Sequence, residues 1–147
     1  MKIYVASSWR NTIQPSVVDE LLKAGFEVYD FRNPAPGETG FHWHEIDEDW
    51  RNWTADQFAS ALDHPIAVAG FRSDFDAMKW ADACVLVNPC GRSAHLEAGY
   101  FVGAGKLLVI LANGGEPELM YSMSDVVATS MEEVVLFLKR NEEGAAA

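Results

Sequence analysis

The sequence predicts an α/β protein in which helices cover both faces of a parallel sheet. Short apolar runs alternate with helical segments along the chain. The runs at residues 83–87 and 106–112 lack polar alternation, which is typical of strands that are buried on both faces. Five such strands suit a flavodoxin-like, doubly wound sheet in the order 2-1-3-4-5.

The first elements are two strands with a helix between them. Residues 2–6 (KIYVA) form an apolar run that ends in two serines, which predicts a strand and a turn. Pro15 suits the first turn of a helix, and Gly25 suits its end. Residues 26–31 (FEVYDF) alternate like a second strand, whereas proline and glycine keep residues 32–40 irregular.

The remaining elements repeat this alternation. They are a short helix at residues 56–62, a helix at 74–80, a strand at 83–87, a helix at 93–102, a strand at 106–112, a strand at 125–128 and a helix at 131–140. We expect Asp74 to begin its helix and Ser93 to be an N-cap. Residues 1–140 therefore form a single predicted domain, and residues 141–147 form a flexible tail.

Composition excludes several partners. The chain has 22 Asp and Glu against 11 Lys and Arg, a net charge of −11, which repels nucleic-acid polymers and anionic membranes. A few local donors can still bind one small anion. No apolar run approaches the ~18 residues that span a bilayer, and the N-terminus lacks the apolar core of a signal peptide. With only 2 cysteines, we predict a cytoplasmic protein without a disulfide scaffold.

Three loops meet at one edge of the predicted sheet. Ligands bind beyond the carboxyl ends of the strands, at the switch between strands 1 and 3, which selects residues 7–11, 88–97 and 113–118. The first of these loops offers two serine hydroxyls and Arg10, whose guanidinium suits a phosphate or carboxylate. The alternative is that Arg10 is an ordinary exposed arginine.

Glu97 is the strongest catalytic candidate in the pattern. It falls in the first turns of the helix at residues 93–102, where the positive helix end favours an ionised carboxylate. Such a group at the mouth of a cleft acts as a nucleophile or a general base. The alternative is that Glu97 only complements the helix dipole.

Residues 41–53 (FHWHEIDEDWRNW) are unusually rich in tryptophan. These rings suit either stacking on a base or packing. His42 and His44 invite a metal interpretation, but no third ligand has a recognisable spacing, so we expect no metal site. Cys90 lies on the turn before Glu97 without a partner base, and we do not assign it as a nucleophile.

Three stretches resemble the nucleoside 2-deoxyribosyltransferase superfamily, which includes nucleoside 5'-monophosphate N-hydrolases. Residues 1–8 (MKIYVASS) resemble its opening strand and loop, and residues 74–82 (DFDAMKWAD) match its D-x-x-A-[IM]-x-x-A-D segment. Residues 93–106 (SAHLEAGYFVGAGK) match its most specific helix. The resemblance covers roughly the whole chain. It implies cleavage of the N-glycosidic bond of a (2'-deoxy)nucleoside or its 5'-monophosphate, by hydrolysis or transfer, without a cofactor.

The resemblance also implies residue roles. Glu97 corresponds to the glutamate that attacks the anomeric carbon, and Asp74 to an aspartate near the base and sugar. Together with Ser7 of the first loop, the implied substrate-binding residues are Tyr4, Ser8, Arg10, Gly91, Ser93 and Glu118. The segment that begins at Glu118 resembles one that reaches a neighbouring subunit's site, which implies a homo-oligomer with shared active sites.

Two features of the sequence depart from the family pattern, and two alternative functions stay open at this point. Residues 41–71 are longer and richer in tryptophan than the family pattern, which leaves base specificity open, and Glu118 disfavours a nearby phosphate. A NAD-cleaving domain of the Toll/interleukin-receptor type also uses a helix glutamate in a flavodoxin-like layout. A non-catalytic nucleotide-binding module on the same scaffold is the third possibility.

Overall fold

The computed structural model describes residues 1–146, which form one five-stranded sheet in the order β2-β1-β3-β4-β5. All its pairings are parallel, which confirms the predicted flavodoxin-like topology. The strands are β1 Lys2–Ala6, β2 Glu27–Asp30, β3 Ala83–Val87, β4 Leu107–Leu111 and β5 Val126–Ala128. The helices are α1 Gln14–Lys23, α2 Ala55–Ala61, α3 Pro65–Trp80, α4 Arg92–Gly103 and α5 Met131–Ala146.

Helices cover both faces of the sheet. On one face, α1 and α5 bury Leu21 and Leu138 completely against the strands. On the other face, α3 and α4 contribute Met78 and Phe101 to a second core. Every residue of β3 is buried, as its uninterrupted apolar sequence predicts for a central strand. No helix within residues 1–146 is both long and apolar enough to cross a membrane.

The start of α3 differs from the prediction. The helix begins at Pro65, because the His64 side chain accepts a hydrogen bond from the Ile66 N–H at 3.2 Å and proline suits the first turn. Asp74 therefore lies inside the helix, and the prediction that it begins the helix is wrong.

Two further helix boundaries also differ. Gly91 is the N-cap of α4, and Ser93 lies in its first turn, so the prediction that Ser93 caps this helix is wrong. Helix α5 continues to Ala146 and includes most of the segment that we expected to be a tail. Residue 147 of that segment lies outside the described residues.

Candidate active site

The loops after β1 and β3 are joined to each other at the carboxyl edge of the sheet. We call residues 7–11 the first loop and residues 88–91 the second loop. Ser7 Oγ donates a hydrogen bond to the last carbonyl of β3 at 2.9 Å, and Asn11 Nδ2 donates to the Pro89 carbonyl at 3.0 Å. Asn11 is only 3% exposed, and its Oδ1 also accepts the N–H that begins α1 at 2.9 Å. Two of the three predicted loops therefore form one unit.

Arg32, which the sequence did not single out, holds the first loop in place. Its Nη2 donates to the carbonyls of Ser8, Trp9 and Asn11 at 3.0, 3.2 and 2.7 Å. The guanidinium carbon also lies 5.5 Å from the centre of the Trp9 ring. Arg10, in contrast, is exposed and forms no hydrogen bond or ion pair with any residue in the described chain. The first loop is thus held in place, whereas the guanidinium of Arg10 has no protein partner in the described chain.

Glu97 of α4 and Asp74 of α3 form a pair of neighbouring acids. Burial raises the pKa of Glu97 to about 7, and the charge of Asp74 contributes to the same rise. Burial also raises the pKa of Asp74, although the hydrogen bond from the Tyr29 hydroxyl at 2.8 Å opposes this rise. Our expectation that the helix end favours ionised Glu97 is wrong in direction. The residue lies beyond the first turn of α4, where the dipole has faded, and burial dominates.

Tyr4 lies beneath this pair. Its side chain is 0% exposed, and its ring stacks on Tyr29 with the centres 5.4 Å apart. Burial raises the pKa of Tyr4, with the charges of Glu97 and Asp74 as further causes, so the phenol stays neutral. Its hydroxyl lowers the pKa of Glu97 but has no hydrogen-bond partner of ordinary geometry within residues 1–146. Tyr4 is therefore placed to act on the acids and not to form the outer surface of a cleft.

A cavity of about 190 Å³ adjoins Asp74. Its walls come from β2, the chain that follows β2, and α3. The lining residues are Tyr29, Phe31, Pro34, Glu38, Thr39, Gly40, Phe41, Glu45, Ile66, Ala69, Gly70, Ser73 and Asp74. This volume is below the roughly 300–1,000 Å³ of pockets for drug-sized ligands, and it suits one planar ring system.

Close backbone approaches build the walls of this cavity. A Cβ atom on Gly40 would lie 1.9 Å from the Phe31 carbonyl oxygen, and one on Gly70 would lie 2.8 Å from Phe41 Cβ. Trp9 Nε1 donates to the Phe41 carbonyl at 3.2 Å, which ties the first loop to the cavity wall. Only glycine permits these two approaches.

The tryptophan-rich segment mainly packs on itself. Trp43 contacts Trp53 and Phe58 edge to face, with ring centres 5.7 and 5.8 Å apart. None of these three rings is among the residues that line the cavity within the described chain, whereas Phe41 is. The packing interpretation therefore fits these tryptophans better than the base-stacking one.

The polar residues of the same segment are engaged locally. The carboxylate of Glu45 accepts the His42 backbone N–H at 2.7 Å, and the His42 ring packs at a tilt on the Trp9 ring, with the ring centres 4.0 Å apart. Asp47 accepts the Trp53 indole N–H at 2.6 Å. Residues 1–146 contain no group of three side chains placed to hold a metal ion.

The second loop is tied to the chain that follows β4 through a hydrogen-bond network that the sequence did not reveal. The Tyr121 hydroxyl donates to Asn88 Oδ1 at 3.0 Å and lies 3.0 Å from His95 Nε2. His95 Nδ1 donates to the Gly91 carbonyl at 2.8 Å. Ser93 and Glu118 are both exposed near this network.

Cys90 is partly buried in the second loop. Burial raises its pKa to about 11, with the charge of Glu97 as a second cause, so the thiol keeps its proton at neutral pH. A neutral thiol is a poor nucleophile, which agrees with our decision not to assign it as one.

Solved structures with this fold include a 2-deoxyribosyltransferase and a conserved protein. A 2-deoxyribosyltransferase from Bacillus psychrosaccharolyticus is 22% identical, with a TM-score of 0.63 over 92% of this chain and 90% of that chain. A conserved protein from Enterococcus faecalis V583 is 13% identical, with a TM-score of 0.55 over 96% and 98% of the two chains.

A weaker likeness is to the CMP N-glycosidase of Clostridium botulinum, which is 14% identical, with a TM-score of 0.49 over 95% and 98% of the two chains. No family model and no curated protein matches the sequence. At these identities the comparisons bear on architecture, and not on substrate or mechanism. The chain therefore has the flavodoxin-like α/β fold that is seen in a 2-deoxyribosyltransferase.

Proposed function

We propose that this protein cleaves the N-glycosidic bond of a (2'-deoxy)nucleoside 5'-monophosphate or nucleoside, either by hydrolysis or by transfer to a second base. The observation that carries the proposal is the acid pair at the switch point of the sheet. The pKa of Glu97 is raised to about 7, and that of Asp74 is also raised. Two neighbouring carboxyl groups whose surroundings retain a proton near neutral pH are the arrangement that glycoside cleavage uses.

In the proposed reaction, Glu97 attacks the anomeric carbon in its ionised form. A carboxylate oxygen forms a bond to that carbon as the bond to the base breaks, and the electron pair of the broken bond leaves with the base. Asp74 donates a proton to the departing base. Water then attacks the anomeric carbon, the bond between that carbon and the Glu97 oxygen breaks, and Asp74 accepts a proton from the water. This restores ionised Glu97 and protonated Asp74. A second base in place of water gives transfer.

In the free protein, burial and the charge of Asp74 both favour the protonated form of Glu97. Catalysis needs the opposite arrangement. The positive charge that develops on the sugar beside Glu97 stabilises its ionised form, so the proton is available to Asp74 and the base. The neutral hydroxyl of Tyr4 also favours ionised Glu97. We therefore assign Tyr4 a role beneath the acids and not in direct substrate contact.

A 5'-phosphate fits the features around the two loops. Arg10 is exposed and has no partner in the described chain, and the Arg32 contacts hold its loop in place. Gly91 and Ser93 lie at the N-terminus of α4, where backbone N–H groups and the helix dipole favour an anion. Ser7 and Ser8 complete the proposed phosphate and sugar contacts. The negative charge of Glu118 disfavours a phosphate bound nearby.

We further propose a homo-oligomer with shared active sites. Leu119, Met120 and Met123 are 83%, 61% and 48% exposed, and they belong to the short 3-10 helix that follows Glu118. A second copy that covers these side chains would remove apolar surface from water close to the second loop. We also propose a cytoplasmic location, which the two unpaired cysteines support.

The test is chromatography of free base that is released from a panel of nucleosides and 5'-monophosphates, with and without a second base. We expect release from monophosphates by the wild type and its loss in Glu97→Gln. Glu132→Gln, which changes an exposed acid on α5, is the matched control and should retain turnover. Turnover that survives in Glu97→Gln would refute the nucleophile. Absence of release from every substrate would refute the function and favour NAD cleavage or simple nucleotide binding, which nicotinamide release and calorimetry distinguish.

A further inference from the structure

The cavity beside Asp74 offers hydrogen-bond acceptors and no cation. Its charged lining residues within the described chain are Glu38, Glu45 and Asp74, and none of its lining residues is Lys, Arg or His. Phe31 and Phe41 supply apolar aromatic walls. The occupant that this combination favours is a flat ring whose edge carries N–H donors.

Glu45 is an exposed acid that lines the cavity, and the proposed reaction does not require it. One of its oxygens accepts the His42 backbone N–H at 2.7 Å. The carboxylate has further acceptor capacity for a ligand in the cavity. Glu38, in contrast, makes no side-chain hydrogen bond within residues 1–146, and Asp74 is assigned to proton transfer.

We infer that this cavity selects a nucleobase that bears an exocyclic amino group, and that the carboxylate of Glu45 is the residue that reads this group. The inference rests on the proposed function, because it assumes that the base of the substrate occupies the cavity. An amino group donates an N–H to the carboxylate. An oxo group at the same place puts lone pairs against the carboxylate and leaves both acceptors unpaired.

The choice between amino and oxo bases is testable with two substrate pairs. These are the 2'-deoxynucleoside 5'-monophosphates of cytosine against uracil and of adenine against hypoxanthine. Hydrogen bonds to charged groups are strong enough that we expect the amino member of each pair to have a kcat/KM higher by about 10- to 100-fold in the wild type.

Glu45→Gln is the informative variant. The amide oxygen of glutamine can still accept the His42 N–H, so the local fold is retained, and the NH₂ group then faces the cavity as a donor. We expect the amino preference to fall to within about twofold or to reverse. Glu48→Gln is the matched control, because Glu48 is an exposed acid of the same segment that does not line the cavity, and it should leave the ratio unchanged.

Binding separates this inference from the proposed function. Calorimetry with Glu97→Gln, which we expect to be inactive, measures the affinity for each of the same four nucleotides and so gives the selectivity of binding alone. Selective binding without turnover by the wild type would overturn the proposed function and support the amino-base cavity. Turnover with equal kcat/KM in both pairs, or a ratio that Glu45→Gln leaves unchanged, would overturn the amino-base cavity and leave the proposed function in place.

Discussion

Glu97→Gln should stabilise the fold above pH 7 while it abolishes turnover. The pKa of the Glu97 carboxyl is raised from 4.5 to about 7, chiefly by burial, so the folded chain holds this proton more tightly than the unfolded chain does. Ionisation inside the fold therefore lowers stability. The difference between these two pKa values corresponds to at most about 3 kcal/mol, and residual exposure and coupling to Asp74 reduce it.

The sign of the pH dependence is specific. At pH values below 4.5 the carboxyl is neutral in both states and contributes nothing to stability. The destabilisation grows as the pH rises from there to about 7 and is constant above that value. Glutamine never ionises, so Glu97→Gln does not show this pH-dependent destabilisation. A domain of this size gains about 2–4 °C in Tm for each kcal/mol, which gives a difference of up to about 6–12 °C at pH 8.

The assay is thermal unfolding followed by circular dichroism at pH 4.5 and pH 8, with Glu97→Gln beside the wild type. Glu132→Gln, an exposed acid on α5, is the control and should show no such pH-dependent difference. If the stability difference between Glu97→Gln and the wild type were the same at both pH values, Glu97 would not be a carboxyl whose burial suppresses its ionisation. The proposed acid pair would then lose its electrostatic basis.

Three further results are expected. The kcat/KM value should fall as the pH rises above about 7, because the pair formed by Glu97 and Asp74 then loses its shared proton; a pH–rate profile tests this. Arg32→Met should raise KM for a monophosphate more than for its nucleoside in steady-state kinetics, because it frees the loop that carries the phosphate contacts; equal rises would contradict this. Gly40→Ala should destabilise the fold by about 2–3 kcal/mol in urea unfolding, whereas Gly103→Ala, with open space around its Cβ, should be neutral or stabilising.

The sheet was predictable because local patterns determine it. Four of the strands are short, mainly apolar runs, β2 alternates polar and apolar residues, and glycine or proline marks most of the turns. The central strand β3 has five buried residues in succession, so even its place in the sheet can be inferred from its sequence. The rule that ligands bind at the switch point then selected the loops without any contact information.

The supports of the site were not predictable, because they act between distant parts of the chain. Arg32 lies in a stretch that proline and glycine mark only as irregular, and its partners are backbone carbonyls of the first loop. Asn11 likewise uses its amide to join two loops that are adjacent only after folding. Backbone carbonyls carry no sequence signal, so a residue that binds them cannot be paired with them from sequence.

The length of α3 was underestimated for a related reason. Its first half contains Gly70, which weakens the local helix signal. The structure shows why glycine occupies this position, since a Cβ there would lie 2.8 Å from Phe41 Cβ. A residue that opposes the helix locally is thus required by the packing of the cavity wall, a conflict between local and tertiary preferences that is common near functional sites.

The same proton links the stability of this protein to its proposed chemistry. Glu97 and Asp74 are neighbouring, partly buried acids whose pKa values are both raised, that of Glu97 to about 7, and with a single proton the pair presents one carboxylic acid and one carboxylate. That state is the one that the reaction needs, with a nucleophile and an acid present together. The pH at which kcat/KM falls should therefore coincide with the pH at which the destabilisation by Glu97 becomes complete. If the pH at which kcat/KM falls were clearly separated from the pH at which the destabilisation becomes complete, different groups would control the two effects, and Glu97 could not hold both roles.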